Sequence, residues 1–298
     1  DRDSEYADKL MPYISESMMS NLTRPKEQYI NSPAAPLNAY VLKRAADGVL
    51  ASTVNKELSF INTMANKAIT EYDLLSSKVW TNIRLLDDSE VKRYGFKEPT
   101  KKLHLLPEWE KMLLDELPQT LADMALFSIH TGQRESVVCN LKWEWFNNDV
   151  DNRVFYFLVP AEYMKSGVEA YVVLNHTALE AVSRYNDGDA ECADEYVFTI
   201  AGERVNKINA YAYQYARSEA AKVYPSIAKT DVHSFKRTFV TRLQDAGVPY
   251  DWVQRLANHK LPEVTERYNI MNADKRRIMY DYLQRLNTTQ PTKLRRVV

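Results

Sequence analysis

The chain has little cysteine and little glycine, and it lacks any long apolar run. Its two cysteines, Cys139 and Cys192, stand far apart with no metal-ligand spacing around them, which excludes a disulfide-rich scaffold and a zinc-finger array. Both are expected to be reduced core residues. Seven glycines and twelve prolines among 298 residues exclude collagen-like and low-complexity classes, and charged residues at 27% suit a mostly helical globular protein. No stretch approaches the roughly eighteen consecutive apolar residues of a membrane span, and the polar opening DRDSEYADKL lacks the apolar core of a signal peptide. Neither membrane nor secretion is implied, and a cytoplasmic protein is expected. There is no G-x-x-x-x-G-K-[ST] loop for a nucleotide and no Asp/Glu cluster suggesting a two-metal site, so no cofactor is called for.

The chain also lacks an excess of charge of one sign. A net charge of −1 argues at first sight against a nucleic-acid partner. That average hides an asymmetry: from Lys229 to the end, fourteen Lys and Arg stand against seven Asp and Glu, a local net charge of +7.

What is present is periodic. In residues 52–70, Val54, Leu58, Ile61, Ala65 and Ala68 fall on one helical face behind Ser52 as the expected cap. The charged, apolar-poor stretch 87–102, broken by Gly95 and Pro99, is the expected linker between two domains. Beyond it, helices are predicted in PEWEKMLLDELPQ and TLADMALFSIH, with a break at Gly132 and a short helix through Leu141. Then the period changes: RVFYFLVP (153–160) and EAYVVLN (169–175) predict two strands joined by a turn holding Lys165, Ser166 and Gly167. From about 176 the pattern is helical again, and the last residues, 288–298, read as a tail. The fold class is mainly α with a small β-sheet (α+β).

The polar groups collect at helix ends. Phe235, Phe239 and Leu243 form a stripe that stops at Gly247, and Pro249 suits the first turn of a helix that ends at Asn258 in a left-handed cap. His233 therefore stands at a helix start and His259 just past a helix end, and Pro262 can open the helix that carries Tyr268.

Together H-x-x-K-R-T-F at 233–239, N-H-x-x-x-x-x-T-E-R-Y at 258–268, HTGQRESVVCNLKW at 130–143 and the strand-turn MKSG at 164–167 resemble the tyrosine recombinase family, the phage-type integrases. Any one of these motifs is weak; four in order across the 135 residues from Arg134 to Tyr268 are specific. The segment STVNKELSFINTMANKA is similar to the family's helical DNA-core-binding domain. The resemblance implies a small helical core-DNA-binding domain over residues 1–97, with its N-terminal extension and linker, and a catalytic domain over 98–287. The two would clamp opposite faces of duplex DNA, and four protomers would exchange strands as a homo-tetramer.

A phosphodiester is anionic, so in-line attack needs cations and donors around its non-bridging oxygens. Arg134 suits that role because guanidinium offers two parallel donors. Tyr268 would be the nucleophile, storing the bond energy in a 3′-phosphotyrosine, and neither metal nor ATP is required. By the resemblance, Lys165 would be the general acid for the departing 5′ oxygen, and His233 and His259 would bond the phosphate or assist proton movement. Two positions depart from the family. Lys236 stands where it has a second arginine, and Val137 stands where it commonly has a glutamate. Arg237 follows Lys236, but adjacent helical residues point about 100° apart. Lysine keeps the charge and loses the fork.

The implied function is site-specific DNA integration or excision of a mobile element on nucleoid DNA, with double-stranded DNA as the partner and room for an accessory DNA-bending protein. A DNA-binding relative with impaired catalysis and a type IB topoisomerase-like enzyme remain open at this point. The stripe Met279, Leu283, Leu286 after Tyr268 needs an apolar groove; the resemblance implies that a neighbouring protomer supplies it, the alternative being the chain's own domain.

Overall fold

The computed structural model describes residues 2–14, 36–73, 83–99, 103–185, 195–208, 210–258 and 271–288. Chain contacts divide it into two compact units, Asp1–Thr100 and Lys101–Val298.

The first unit is helical: α1 (Arg2–Ile14), α2 (Pro36–Ala46), α3 (Ala51–Thr70) and α4 (Asp88–Arg93). Val54, Leu58, Ile61 and Ala65 of α3 are buried, as their spacing predicts, against Leu10, Leu37, Tyr40 and Val41. Ser52 is not the cap. Leu50 holds that position without a side-chain bond, and Ser52 lies inside the first turn. One carboxylate enters this core: Glu57 is fully buried, accepting from the Tyr40 hydroxyl at 2.7 Å and from two nitrogens of Arg44 at 2.7 and 3.1 Å. A buried charge is tolerable only when its oxygens are satisfied in this way.

Of the expected linker, residues 87–99 are described, and they contain α4. Asn62 of α3 accepts from the Ile83 N–H at 2.7 Å and donates to the Ile83 carbonyl at 3.0 Å, and Asn55 does the same to Leu86 at 2.7 and 3.2 Å. These amides pin an extended segment alongside the helix. Asp87 and Glu90 then form a capping box that starts α4, Arg84 grips the buried Glu90 through two bonds of 2.8 Å, and Phe96 enters the core. Its charge marked the stretch as a linker, but Asp87 and Glu90 both pair with Arg84 just before it.

The second unit carries α5 (Pro107–Asp115), α6 (Gln119–Thr131), α7 (Glu135–Cys139), β1 (Phe146–Asp149), β2 (Val154–Val159), β3 (Ala170–Val173), α8 (His176–Ser183), β4 (Thr199–Ile200), β5 (Glu203–Arg204), α9 (Tyr211–Val223), α10 (His233–Asp245), α11 (Tyr250–Leu256) and α12 (Ala273–Thr288). The two predicted strands pair antiparallel with Val159 opposite Ala170, and β1 adds a third strand with Phe146 opposite Phe157. Neither β1 nor the β4–β5 hairpin was anticipated. FNND has a polar middle, and two-residue strands leave no period to read. Helix α6 is buried on nearly every side, from Leu121 to Thr131, and forms the axis of this core. Among the described residues, no helix is long and apolar enough to cross a membrane.

The apolar stripe of α12 packs within its own chain and not, as the resemblance implied, on a neighbour. Met279, Leu283 and Leu286 are buried with Phe239, Leu243, Val253 and Leu256. Arg276 fastens the start of this helix to the sheet, bonding Asp149 at 2.8 Å and lying over the rings of Tyr156 and Tyr171. Thr288, expected to open the tail, is its last helical residue, and 289–298 lie outside the described residues.

Candidate active site

The site is built around the end of α6. Gly132 ends that helix with φ +67°, in the left-handed region, and a Cβ there would meet the Phe239 ring at 2.4 and 2.6 Å. Only glycine satisfies both demands. The turn is bonded further by the Ser128 hydroxyl donating to the Gln133 carbonyl at 2.8 Å and by the Gln133 side chain donating to the Thr131 carbonyl at 2.9 Å. Arg134 follows as the capping residue of α7, its carbonyl accepting from Val137 and Val138. Val137 is buried in the core, so the position where an acid was expected serves packing.

Beneath the turn lies a neutral network. His130 is buried; burial, then the Arg242 charge, pushes its pKa down to about 4. Its Nδ1 meets the Asn175 amide at 2.9 Å, and Asn175 also caps α8 and donates to the Leu283 carbonyl of α12 at 3.3 Å. One asparagine thus joins α6, α8 and α12.

Arg134, His233 and Lys236 line one open cleft of about 490 Å³, with His104, Arg237, Val240 and Thr241. His233 opens α10 and is exposed, and Lys236 lies one turn further along the same face. Burial, and then the neighbouring Arg134 charge, push the Lys236 ammonium down to about 7. Its Nζ donates to the Ala257 carbonyl at the end of α11. Asn258 then takes φ +49°, the expected left-handed cap, and the chain continues to His259. Arg237 lines the cleft too, but its guanidinium is tied at 3.0 Å to Asp231 and at 3.2 Å to the Ser234 hydroxyl, so it does not replace the missing arginine fork.

His104 is a cleft residue that sequence reasoning missed. It owes its place to Leu105, whose N–H donates to the Thr238 hydroxyl of α10 at 2.8 Å. No local signal around HLLP marks that long-range bond. Lys165 lies exposed on the β2–β3 turn and is not among the residues lining the cleft. His259 and Tyr268 fall outside the described residues.

The sequence profile of the phage integrase family matches residues 105–275, more than half of the chain. The chain belongs to the phage integrase family. Among its relatives, transposase B of transposon Tn554 from Staphylococcus aureus is 24% identical over 246 residues, covering 78% of this chain and 37% of that protein. The integrase of Salmonella phage P22 is 22% identical over 223 residues, covering 73% of this chain and 53% of that protein. The chain thus spans roughly half or less of these relatives. In fold it is similar to the Tn1549 transposon integrase solved in complex with transposon right end DNA, with a TM-score of 0.60 at 17% identity over 95% of this chain and 94% of that one. It is also similar to lambda integrase bound to DNA, with a TM-score of 0.52 at 14% identity over 93% of this chain and 88% of that one. These likenesses establish the mostly helical integrase fold with its small sheets.

Proposed function

We propose that the chain is a site-specific DNA recombinase that cuts and rejoins duplex DNA through a 3′-phosphotyrosine on Tyr268, integrating or excising a mobile element. The observation that carries this reading is the convergence of Arg134, His233 and Lys236 on one open cleft within the segment that matches the family. Cations and donors fixed around an anionic phosphate stabilise the charge that builds up during in-line attack, and they need no reorganisation at that moment. Arg134 grips two non-bridging oxygens, His233 donates to the phosphate, and Lys236 adds a further N–H and charge. Exchanging one phosphodiester for another through the phosphotyrosine conserves the backbone bond energy, so strand exchange needs no nucleotide.

The first unit serves as the DNA-core-binding domain and the second as the catalytic domain. Its partners are double-stranded DNA and further copies of this chain, assembled as a tetramer; the solved relatives include a lambda integrase tetramer bound to a Holliday junction. It works in the cytoplasm, where nucleoid DNA lies, and needs neither metal nor ATP.

The test is a nicked duplex that traps the covalent intermediate by losing a short 5′ strand. The unsubstituted chain forms a protein–DNA adduct. Tyr268→Phe removes a single hydroxyl, so it abolishes the adduct and leaves DNA retention in a gel nearly intact. An adduct that persists in Tyr268→Phe refutes the assignment.

A further inference from the structure

Three donor side chains line the cleft without an acceptor among the described residues. The Arg134 guanidinium and the imidazoles of His233 and His104 all face it, and none of them makes a hydrogen bond or ion pair to a described residue. The family resemblance gives a role to Arg134 and to His233 but none to His104. We propose that His104 is a further catalytic residue, donating an imidazole N–H to a non-bridging oxygen of the phosphate held by Arg134 and His233. This rests on the recombinase reading above and deepens it.

His104 stands in the cleft because its segment is strapped to α10. Leu105 is buried, and its N–H donates to the Thr238 hydroxyl at 2.8 Å; that hydroxyl donates in turn to the Ser234 carbonyl, one turn earlier, at 2.7 Å. Pro107 then opens α5, and Glu110 of that helix pairs with Arg242 at 2.6 Å, one turn beyond Thr238. Two fastenings thus hold residues 105–110 to the helix that carries His233 and Lys236. Holding α5 in place needs no imidazole, because the Leu105 backbone and the Glu110 carboxylate already do so. The ring is left to the cleft, on a backbone fixed before any ligand arrives.

The cleft itself selects an anion. The described residues that line it carry cations and neutral groups, and no carboxylate is among them; Asp231, which pairs with Arg237, is not one of the lining residues. The phosphate also meets fewer prongs here than the family offers. Lys236 has no fork, and its ammonium spends one of three N–H groups on the Ala257 carbonyl. An imidazole carries at least one N–H in either protonation state. A donor fixed in advance at a non-bridging oxygen stabilises the charge that builds up there in the transition state and needs no reorganisation.

The experiment follows single-turnover cleavage of the adduct-trapping nicked duplex with three scissile groups: the ordinary phosphate, and the two separated stereoisomers in which sulfur replaces one non-bridging oxygen. His104→Ala keeps the Leu105 N–H and therefore the strap. On the ordinary phosphate it should cleave roughly 10²–10³-fold more slowly than the unsubstituted chain, the range for losing one such donor. DNA retention in a gel should stay nearly intact, because the contact matters most in the transition state. Sulfur accepts hydrogen bonds weakly, so the isomer that sets sulfur against His104 takes the contact from the unsubstituted chain as well. On that isomer the deficit of His104→Ala should shrink by about tenfold or more, and on the other it should persist. A histidine that only shaped the fold would slow all three substrates alike.

The inference is overturned if His104→Ala cleaves the ordinary phosphate within about tenfold of the unsubstituted chain. It is overturned equally by a deficit that is the same on all three substrates, or by DNA retention that falls as steeply as cleavage. Absence of a Tyr268-dependent adduct from the unsubstituted chain on the ordinary phosphate instead removes the recombinase reading itself.

Discussion

Gly132→Ala tests the placement of Arg134 most directly, and its cost follows from two separate features. The residue sits at φ +67°, and an alanine held in the left-handed region costs about 1–2 kcal/mol. Its Cβ would also stand 2.4 Å from Cδ1 and 2.6 Å from Cε1 of Phe239, a fully buried ring packed among Leu243, Val253 and Met279. Forcing that ring aside costs about 1–3 kcal/mol in a close-packed core. The sum is about 2–5 kcal/mol against a domain stability of about 5–15 kcal/mol, so the variant should fold but melt earlier. Urea denaturation followed by circular dichroism measures the loss. Repeating the substitution in a Phe239→Ala background, which removes Cγ, Cδ1 and Cε1 together, should remove the clash and leave the backbone cost of about 1–2 kcal/mol. A cost below about 1 kcal/mol for Gly132→Ala, or the same cost in both backgrounds, would refute the reasoning. Cleavage should fall as well, because the turn that moves carries Arg134 two residues later.

Two further outcomes follow from buried groups. Between its folded value of about 4 and its ordinary 6.5, His130 refuses a proton that the unfolded chain binds, so its contribution is complete above about pH 6.5 and is lost as pH falls toward 4. The gap corresponds to about 3 kcal/mol, and His130→Gln should lack that part of the slope when urea midpoints at pH 7 and pH 4.5 are compared; equal slopes in the two proteins would count against a buried neutral imidazole. Leu283 is 1% exposed within one chain, so Leu283→Ala should destabilise dilute protein by about 2.7–5 kcal/mol without dependence on concentration. A loss seen only at concentrations that support oligomers would place the α12 stripe on a neighbour after all.

The sequence by itself determined what is local and periodic. Gly132, Gly247 and Asn258 end helices in the left-handed region because few residues tolerate it, and the β-branched and aromatic runs in RVFYFLVP and EAYVVLN form paired strands. Four motifs in order pointed to the family, because each sets its residue types at a fixed spacing. Tertiary structure alone decided which surfaces meet. The stripe of Met279, Leu283 and Leu286 announces an apolar face, but periodicity does not name what covers it, and here Phe239 and Leu243 of the same chain do. The segment that leads into the apolar-poor stretch is held because Asn55 and Asn62 bond backbone groups of Leu86 and Ile83, far along the chain, and such amide bridges have no period. His104 reaches the cleft through a bond from Leu105 to Thr238, again across a long loop. The proton affinity of Lys236 is likewise invisible in the motif, because it is set by burial and by Arg134, about a hundred residues earlier in the chain and adjacent only once α6 and α10 have packed.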